Sequence, residues 1–289
     1  MIIWLASYPR SGNTLLRTVL YKTMGMKSTS DEVGEKKLLG LTEASLHGAG
    51  IIEIPGSWEN YYQTATQSGE IFLVKTHRPP RDSQPAIYVV RDGRMACLSY
   101  SRFHQQFTPS PYPSLLDLVL GGDFYGGWSE HYRAWMGREN IFMVQYEDLV
   151  NAPDALLRKI ARRVQYSGEI APWKNPFDQM HQENPDFFRK GEVGWQGDPS
   201  WTPMINAVFF HLHGDLMIEL GYASPETVAQ AKKGSSEEWL ELVEVSRRLL
   251  SEKKQLESIC DDRQVVIDGL KQASDERLEL IHKLMKSRQ

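Results

Sequence analysis

The chain has 289 residues, 41% hydrophobic and 24% charged, a balance that excludes a disordered or collagen-like chain. Its net charge of −4 and pI near 6.1 exclude a protein that coats nucleic acid or an anionic membrane. Any anion it binds must therefore be met by a local cluster of basic groups.

Short apolar runs rich in β-formers occupy residues 2–6, 71–74, 86–90 and 141–144. They are too short for helices and predict buried strands. Helical stretches are predicted between them, at 13–24, 93–103, 127–136 and 153–164. Pro153 opens the last, with Asn151 as its expected N-cap. Strand alternating with helix predicts an α/β fold, a central parallel sheet flanked by helices, with ligands at the carboxyl ends of the strands. The apolar N-terminus has no basic segment ahead of it and is expected to be that first strand, not a signal peptide. No run approaches the length of a membrane span. Cys97 lies in an apolar stretch and Cys260 in a charged one, which predicts no disulfide framework and a cytoplasmic location.

A division is expected between a domain at 1–230 and a tail at 235–289. With Leu242 at heptad position a, the a series is Leu242, Leu249, Leu256, Arg263, Leu270, Arg277 and Leu284. The d series is Val245, Glu252, Ile259, Val266, Ala273 and Leu280. Ten of these 13 positions are apolar, which predicts a coiled coil and a homo-oligomer formed through the C-terminal helix. A long helix folded back onto the domain would show the same pattern. The tail holds 10 basic and 12 acidic residues and is no basic arm.

Between the first strand and the first helix lies Ser7-Tyr8-Pro9-Arg10-Ser11-Gly12-Asn13-Thr14. Pro9 and Gly12 supply a tight turn, and a helix N-terminus after such a turn binds phosphate through free N–H groups and the helix dipole. Ser11, Asn13 and Thr14 add hydrogen-bonding side chains and Arg10 a fixed charge. The spacing is not that of a Walker A loop, and a plain capped strand–helix junction would also account for it.

Four later segments carry chemistry-bearing residues. Lys75-Thr76-His77 ends the second apolar run, putting a titratable imidazole where α/β folds do chemistry. Arg91-Asp92-Gly93-Arg94 follows the third, leading into a helix that carries Ser99. Arg91 could pair with Asp92, and Arg94 is expected to be solvated. Trp128, His131 and Trp135 share one helical face, a core pattern, ahead of Tyr146-Glu147-Asp148. Phe188-Arg189-Lys190-Gly191-Glu192-Val193-Gly194 suits either an anion clamp or a solvated turn. His211 and His213 point to different faces of a predicted helix, a poor metal site, and no metal is expected.

Together and in this order, the loop and the four segments resemble the PAPS-dependent sulfotransferases, PAPS being 3′-phosphoadenosine-5′-phosphosulfate. Their phosphosulfate loop is usually Tyr-Pro-Lys-Ser-Gly-Thr-Thr-Trp; here Arg10, Asn13 and Leu15 stand for Lys, the first Thr and Trp. The resemblance implies PAPS as co-substrate, no metal, and a P-loop-like donor site formed by Arg10, Ser11, Gly12, Asn13 and Thr14. It implies His77 as the base for the acceptor's hydroxyl or amine, with Lys75 and Arg10 stabilising charge. Arg91, Ser99, Arg189, Lys190 and Gly191 would hold the 3′-phosphate, and Tyr146 and Phe177 the adenine. The resemblance spans residues 1–223. The acceptor, a small molecule, glycan or lipid, would meet residues 29–69 and 102–125, which carry aromatic side chains and no motif. A small-molecule kinase shares the strand–loop–helix plan but needs the missing Walker lysine. A catalytically inactive coiled-coil assembly module would account for the heptads alone.

Overall fold

The computed structural model describes residues 1–32, 43–54, 56–176, 181–182, 195–233 and 236–286. Five strands form one sheet: β1 Ile2–Ser7, β2 Ser28–Ser30, β3 Phe72–Thr76, β4 Ala86–Val90 and β5 Ile141–Gln145. All are parallel, in the order β2-β3-β1-β4-β5. β1 and β4 are buried along their whole length, which is why they read as continuous apolar runs. β2 carries no such signal. It is a Ser-Thr-Ser edge strand, fixed by its ladder to β3 and by the Arg17 guanidinium, whose Nε donates to Ser28 Oγ at 2.8 Å.

The described helices are α1 Asn13–Met24, α2 Glu43–Gly48, α3 Trp58–Gln67, α4 Gly93–Phe107, α5 Leu115–Val119, α6 Trp128–Met136, α7 Tyr146–Asn151, α8 Asp154–Arg163, α9 Pro203–Glu219, α10 Pro225–Lys232 and α11 Glu237–Lys286. Local chemistry sets many of their ends. Asp92 caps α4 by accepting from the Arg94 amide, and Thr202 caps α9 ahead of Pro203. The expectation for Asn151 is corrected: it ends α7, and Pro153 itself occupies the N-cap of α8, with no side-chain cap. Two residues separate the helices, too few for an Asn to cap the second while closing the first.

Each sheet face has its own core. Ile3, Leu5, Ile87 and Val89 pack with Leu16, Val19 and Leu20 of α1 and with Leu157 and Ile160 of α8. The opposite face is aromatic: Trp4 meets Trp58 at 5.9 Å, and Tyr88 meets Trp135 at 6.3 Å between ring centroids. The chain passes from β3 to β4 across β1, so the strand order switches direction at the carboxyl end of β1. Open α/β sheets bind their ligands at such a crevice.

The chain divides into two compact units, Met1–Glu237 and Glu238–Gln289. The second is built from α11, a helix of 50 residues. Among the described residues no helix is long and apolar enough to cross a membrane, and no group of side chains could hold a metal ion.

Candidate active site

The loop at the switch point is shaped by its backbone. β1 ends at Ser7 and α1 begins at Asn13, with the Ser11 amide donating to Tyr8 O at 3.2 Å. Gly12, the N-cap of α1, has φ of 109°, in the left-handed region. A Cβ there would lie 2.5 Å from the Tyr146 ring, so the glycine serves both the turn and the close approach of that ring. Asn13 turns inward, its Nδ2 donating to Leu5 O at 2.7 Å and ties the helix start to β1. Ser11 is fully buried, and its hydroxyl makes no hydrogen bond among the described residues. A buried hydroxyl beside the open first turn of a helix suits an anion's oxygen.

Three other expected residues gather on this loop. Arg91 lays its guanidinium 4.3 Å from the centre of the Tyr146 ring and donates to Arg10 O at 3.2 Å. Arg10 Nε donates to Ser99 Oγ at 3.4 Å, and its guanidinium lies 5.4 Å from the Phe103 ring centre. Arg10, Arg91, Ser99 and Tyr146 thus surround the turn from three separate segments. Arg94 corrects its expectation. It is 7% exposed, pairs with both oxygens of Asp92, donates to Tyr222 O and stacks 4.4 Å from the Trp195 ring centre. Asp92 is therefore the partner of Arg94, which leaves Arg91 turned to the loop.

His77 sits just past β3, half-buried. Its Nδ1 lies 2.8 Å from Ser7 O, a carbonyl that only accepts, so Nδ1 carries the proton and Nε2 the lone pair. The backbone beyond it is held by α6: His131 Nε2 donates to His77 O at 2.9 Å and Trp135 Nε1 to Arg78 O at 3.2 Å. Tyr88 in turn donates to His131 Nδ1 at 2.8 Å. Burial, joined by the Lys75 ammonium, pushes the His77 imidazole down to about 3. Burial likewise lowers His131 to about 4. Both rings are neutral at pH 7.

Lys75 is 4% exposed and donates to Glu32 Oε2 at 2.5 Å. Tyr125 donates its hydroxyl to the other Glu32 oxygen, and its ring stands edge-on to His77 at 5.8 Å. Burial alone would raise Glu32, but the ammonium of Lys75 and the neighbouring His77 bring it down to about 2. The carboxylate is ionised at neutral pH and holds the lysine in place. Glu32, Tyr125 and His131 are the residues that sequence reading missed as parts of this corner. His131 was legible only as core, and nothing in the sequence links Glu32 or Tyr125 to Lys75. Phe177, Arg189, Lys190 and Gly191 lie outside the described residues. His213 is buried, with Nε2 donating to Val119 O at 2.9 Å and Nδ1 facing the Ser129 hydroxyl.

Known proteins resemble this chain in sequence and in fold. Residues 2–196 match the sulfotransferase domain family. Sulfotransferase 4A1 of Mus musculus is 26% identical over 200 residues, covering 62% of this chain and 65% of that protein. The chain therefore spans just under two thirds of that relative's length. The 3-alpha-hydroxysteroid sulfotransferase of Cavia porcellus is 30% identical over 84 residues, 26% of this chain and 29% of that protein. Among solved structures, mouse sulfotransferase SULT7A1 complexed with PAP is similar with a TM-score of 0.50 and 18% identity, over 77% of this chain and 88% of that one. At that identity the likeness is one of fold.

Proposed function

The chain belongs to the sulfotransferase domain family, and from that premise we propose that it transfers a sulfuryl group from PAPS to a hydroxyl or amine of a small-molecule acceptor. PAPS supplies an activated sulfuryl group on its 5′-phosphate and leaves as PAP. The turn at Ser11–Gly12, with a buried hydroxyl that has no partner among the described residues and the guanidinium groups of Arg10 and Arg91 close by, supports binding of that phosphosulfate. Arg91 and Ser99, joined by Arg189, Lys190 and Gly191, are the proposed holders of the 3′-phosphate. Tyr146 and Phe177 are proposed for the adenine.

The observation that carries the reading is the state of His77. With Nδ1 committed to Ser7 O, its neutral ring keeps Nε2 for the acceptor's proton. Lys75 and Arg10 supply positive charge where negative charge grows during transfer, and Glu32 fixes the lysine so that it need not reorganise. Arginine holds its proton, so Arg10 acts by charge and not as an acid. A chain of ring contacts starts beside the base: Tyr125 lies 6.5 Å from Tyr100, Tyr100 lies 6.4 Å from Phe103, and Phe103 lies 5.0 Å from Phe107. That row supports an acceptor with an apolar or aromatic body. Unpaired cysteines, Cys97 buried and Cys260 exposed, support a reducing, cytoplasmic setting. The tail helix supports self-association.

The test is a screen of hydroxyl and amine acceptors with sulfur-labelled PAPS. Label should pass to at least one acceptor, and transfer should survive a chelator. No transfer to any acceptor despite tight PAP binding would overturn the enzymatic reading.

A further inference from the structure

The apolar seam of α11 is exposed. Leu242, Leu249, Leu256, Ile259, Val266 and Leu270 are 46% to 66% exposed. From Leu242 to Leu270 the row is about 40 Å long at the α-helical rise. Apolar side chains at a and d over that length make a surface for a second helix. Two charged residues interrupt the row, Glu252 at d and Arg263 at a, and two flank it, Glu238 at d and Arg277 at a; all four are exposed. They decide which helix fits.

In a parallel, in-register pair each seam residue meets its own copy. Glu252 would face a glutamate, and Arg263 and Arg277 would each face an arginine, with no counter-charge in the seam. In an antiparallel pair, a positions face d positions. One register then sets Arg263 against the partner's Glu252 and Arg277 against the partner's Glu238. The same register sets Leu242 against the partner's Ala273, Val245 against the partner's Leu270, Leu249 against the partner's Val266 and Leu256 against the partner's Ile259. Between positions 238 and 277 every charge in the seam is met by its opposite and every apolar residue by an apolar one. Sliding by one heptad either way puts Arg263 against Ile259 or Val245 and leaves it unmatched. Charged seam positions commonly fix register and orientation in this manner.

We infer that α11 is an antiparallel homodimerisation helix, its register set by the Arg263–Glu252 and Arg277–Glu238 pairs between copies. This rests on the self-association proposed above and adds its geometry. The test uses the full chain with Cys260→Ser, so that introduced cysteines alone report. Leu249→Cys combined with Val266→Cys should give a disulfide-linked dimer on mild oxidation. Neither substitution alone should, because the two copies of position 249 lie about 25 Å apart along the axis. Cross-linking by Leu249→Cys alone would overturn the orientation while leaving self-association intact. A monomer in light scattering at all concentrations would overturn both. As a second arm, Glu252→Arg should weaken the dimer at least tenfold, and adding Arg263→Glu should restore it. Failure of that restoration, in chains that melt like the parent, would contradict the register.

Discussion

The loop at Ser7–Thr14 and the His77 corner lie at the carboxyl ends of the adjacent strands β1 and β3, and they are built in different ways. The loop is eight consecutive residues whose shape is set by the main chain, by Gly12 at φ 109° and by the Ser11 amide turning back to Tyr8. The corner is a network of side chains from Glu32, Lys75, His77, Tyr88, Tyr125 and His131, anchored on the main-chain carbonyls of Ser7 and His77. Its members are up to 124 positions apart, counting from Ser7 to His131. A site made of backbone tolerates side-chain exchange and fails when the backbone cannot follow. A site made of side chains fails one group at a time, and in different observables.

The largest effect should come from the corner's chemistry. His77→Ala is expected to lower turnover by ~10²–10⁴ while PAP binding stays close to that of the parent chain. Equal loss of both, measured by transfer assay and calorimetry, would make His77 a folding residue. The pH profile sharpens the assignment. A base held at about 3 is neutral above that pH, so kcat/KM should show no acid limb between pH 5 and 7. A limb near 6.5 would contradict the half-buried, lysine-flanked imidazole.

Next comes the corner's framework. Glu32→Gln removes the carboxylate that pairs with buried Lys75 and should destabilise the fold by about 3 kcal/mol at pH 7. Glu32 is lowered in the folded state, from 4.5 to about 2, so its stabilisation is complete above pH 4.5 and fades as pH falls toward 2. The stability gap between parent and variant should narrow over that window; a gap independent of pH would remove the ion pair from the account.

The loop should respond to a change of backbone freedom. Gly12→Ala forces a Cβ into left-handed φ and against Tyr146, at about 1–3 kcal/mol, and should weaken PAP binding more than it lowers stability. Unchanged PAP affinity would mean that the loop's shape is not what binds. The smallest effect is expected for Tyr125→Phe, which removes one hydrogen bond to Glu32, worth about 1 kcal/mol. A shift in melting temperature of a few degrees with PAP binding intact would fit.

The same contrast explains what the sequence makes legible. The loop, β1, β3, β4, β5 and the helix after the loop announce themselves because their signals are local: a short apolar run, a Pro and a Gly, a string of polar residues before a helix. β2 escapes because three hydroxyl residues have no apolar period; their place comes from Arg17 and from pairing with β3. Arg94 is misjudged because, although Asp92 lies two residues before it, the groups that cover it, Tyr222 and Trp195, are more than 100 residues away. Glu32 and Tyr125 carry ordinary side chains in unremarked stretches, and only the fold brings them to Lys75. His77 itself is legible by its position at a strand end, but its tautomer is not, since that depends on the Ser7 carbonyl.

The central claim is that the crevice at β1 is a PAPS site, and thermal unfolding of the full chain with PAP or ATP tests it most directly. At about 100 times its Kd, PAP should add about 2.7 kcal/mol and raise the melting temperature by about 5–10 °C, with little effect of ATP at equal concentration. Stabilisation by ATP as large as that by PAP, or none by either, would contradict the account.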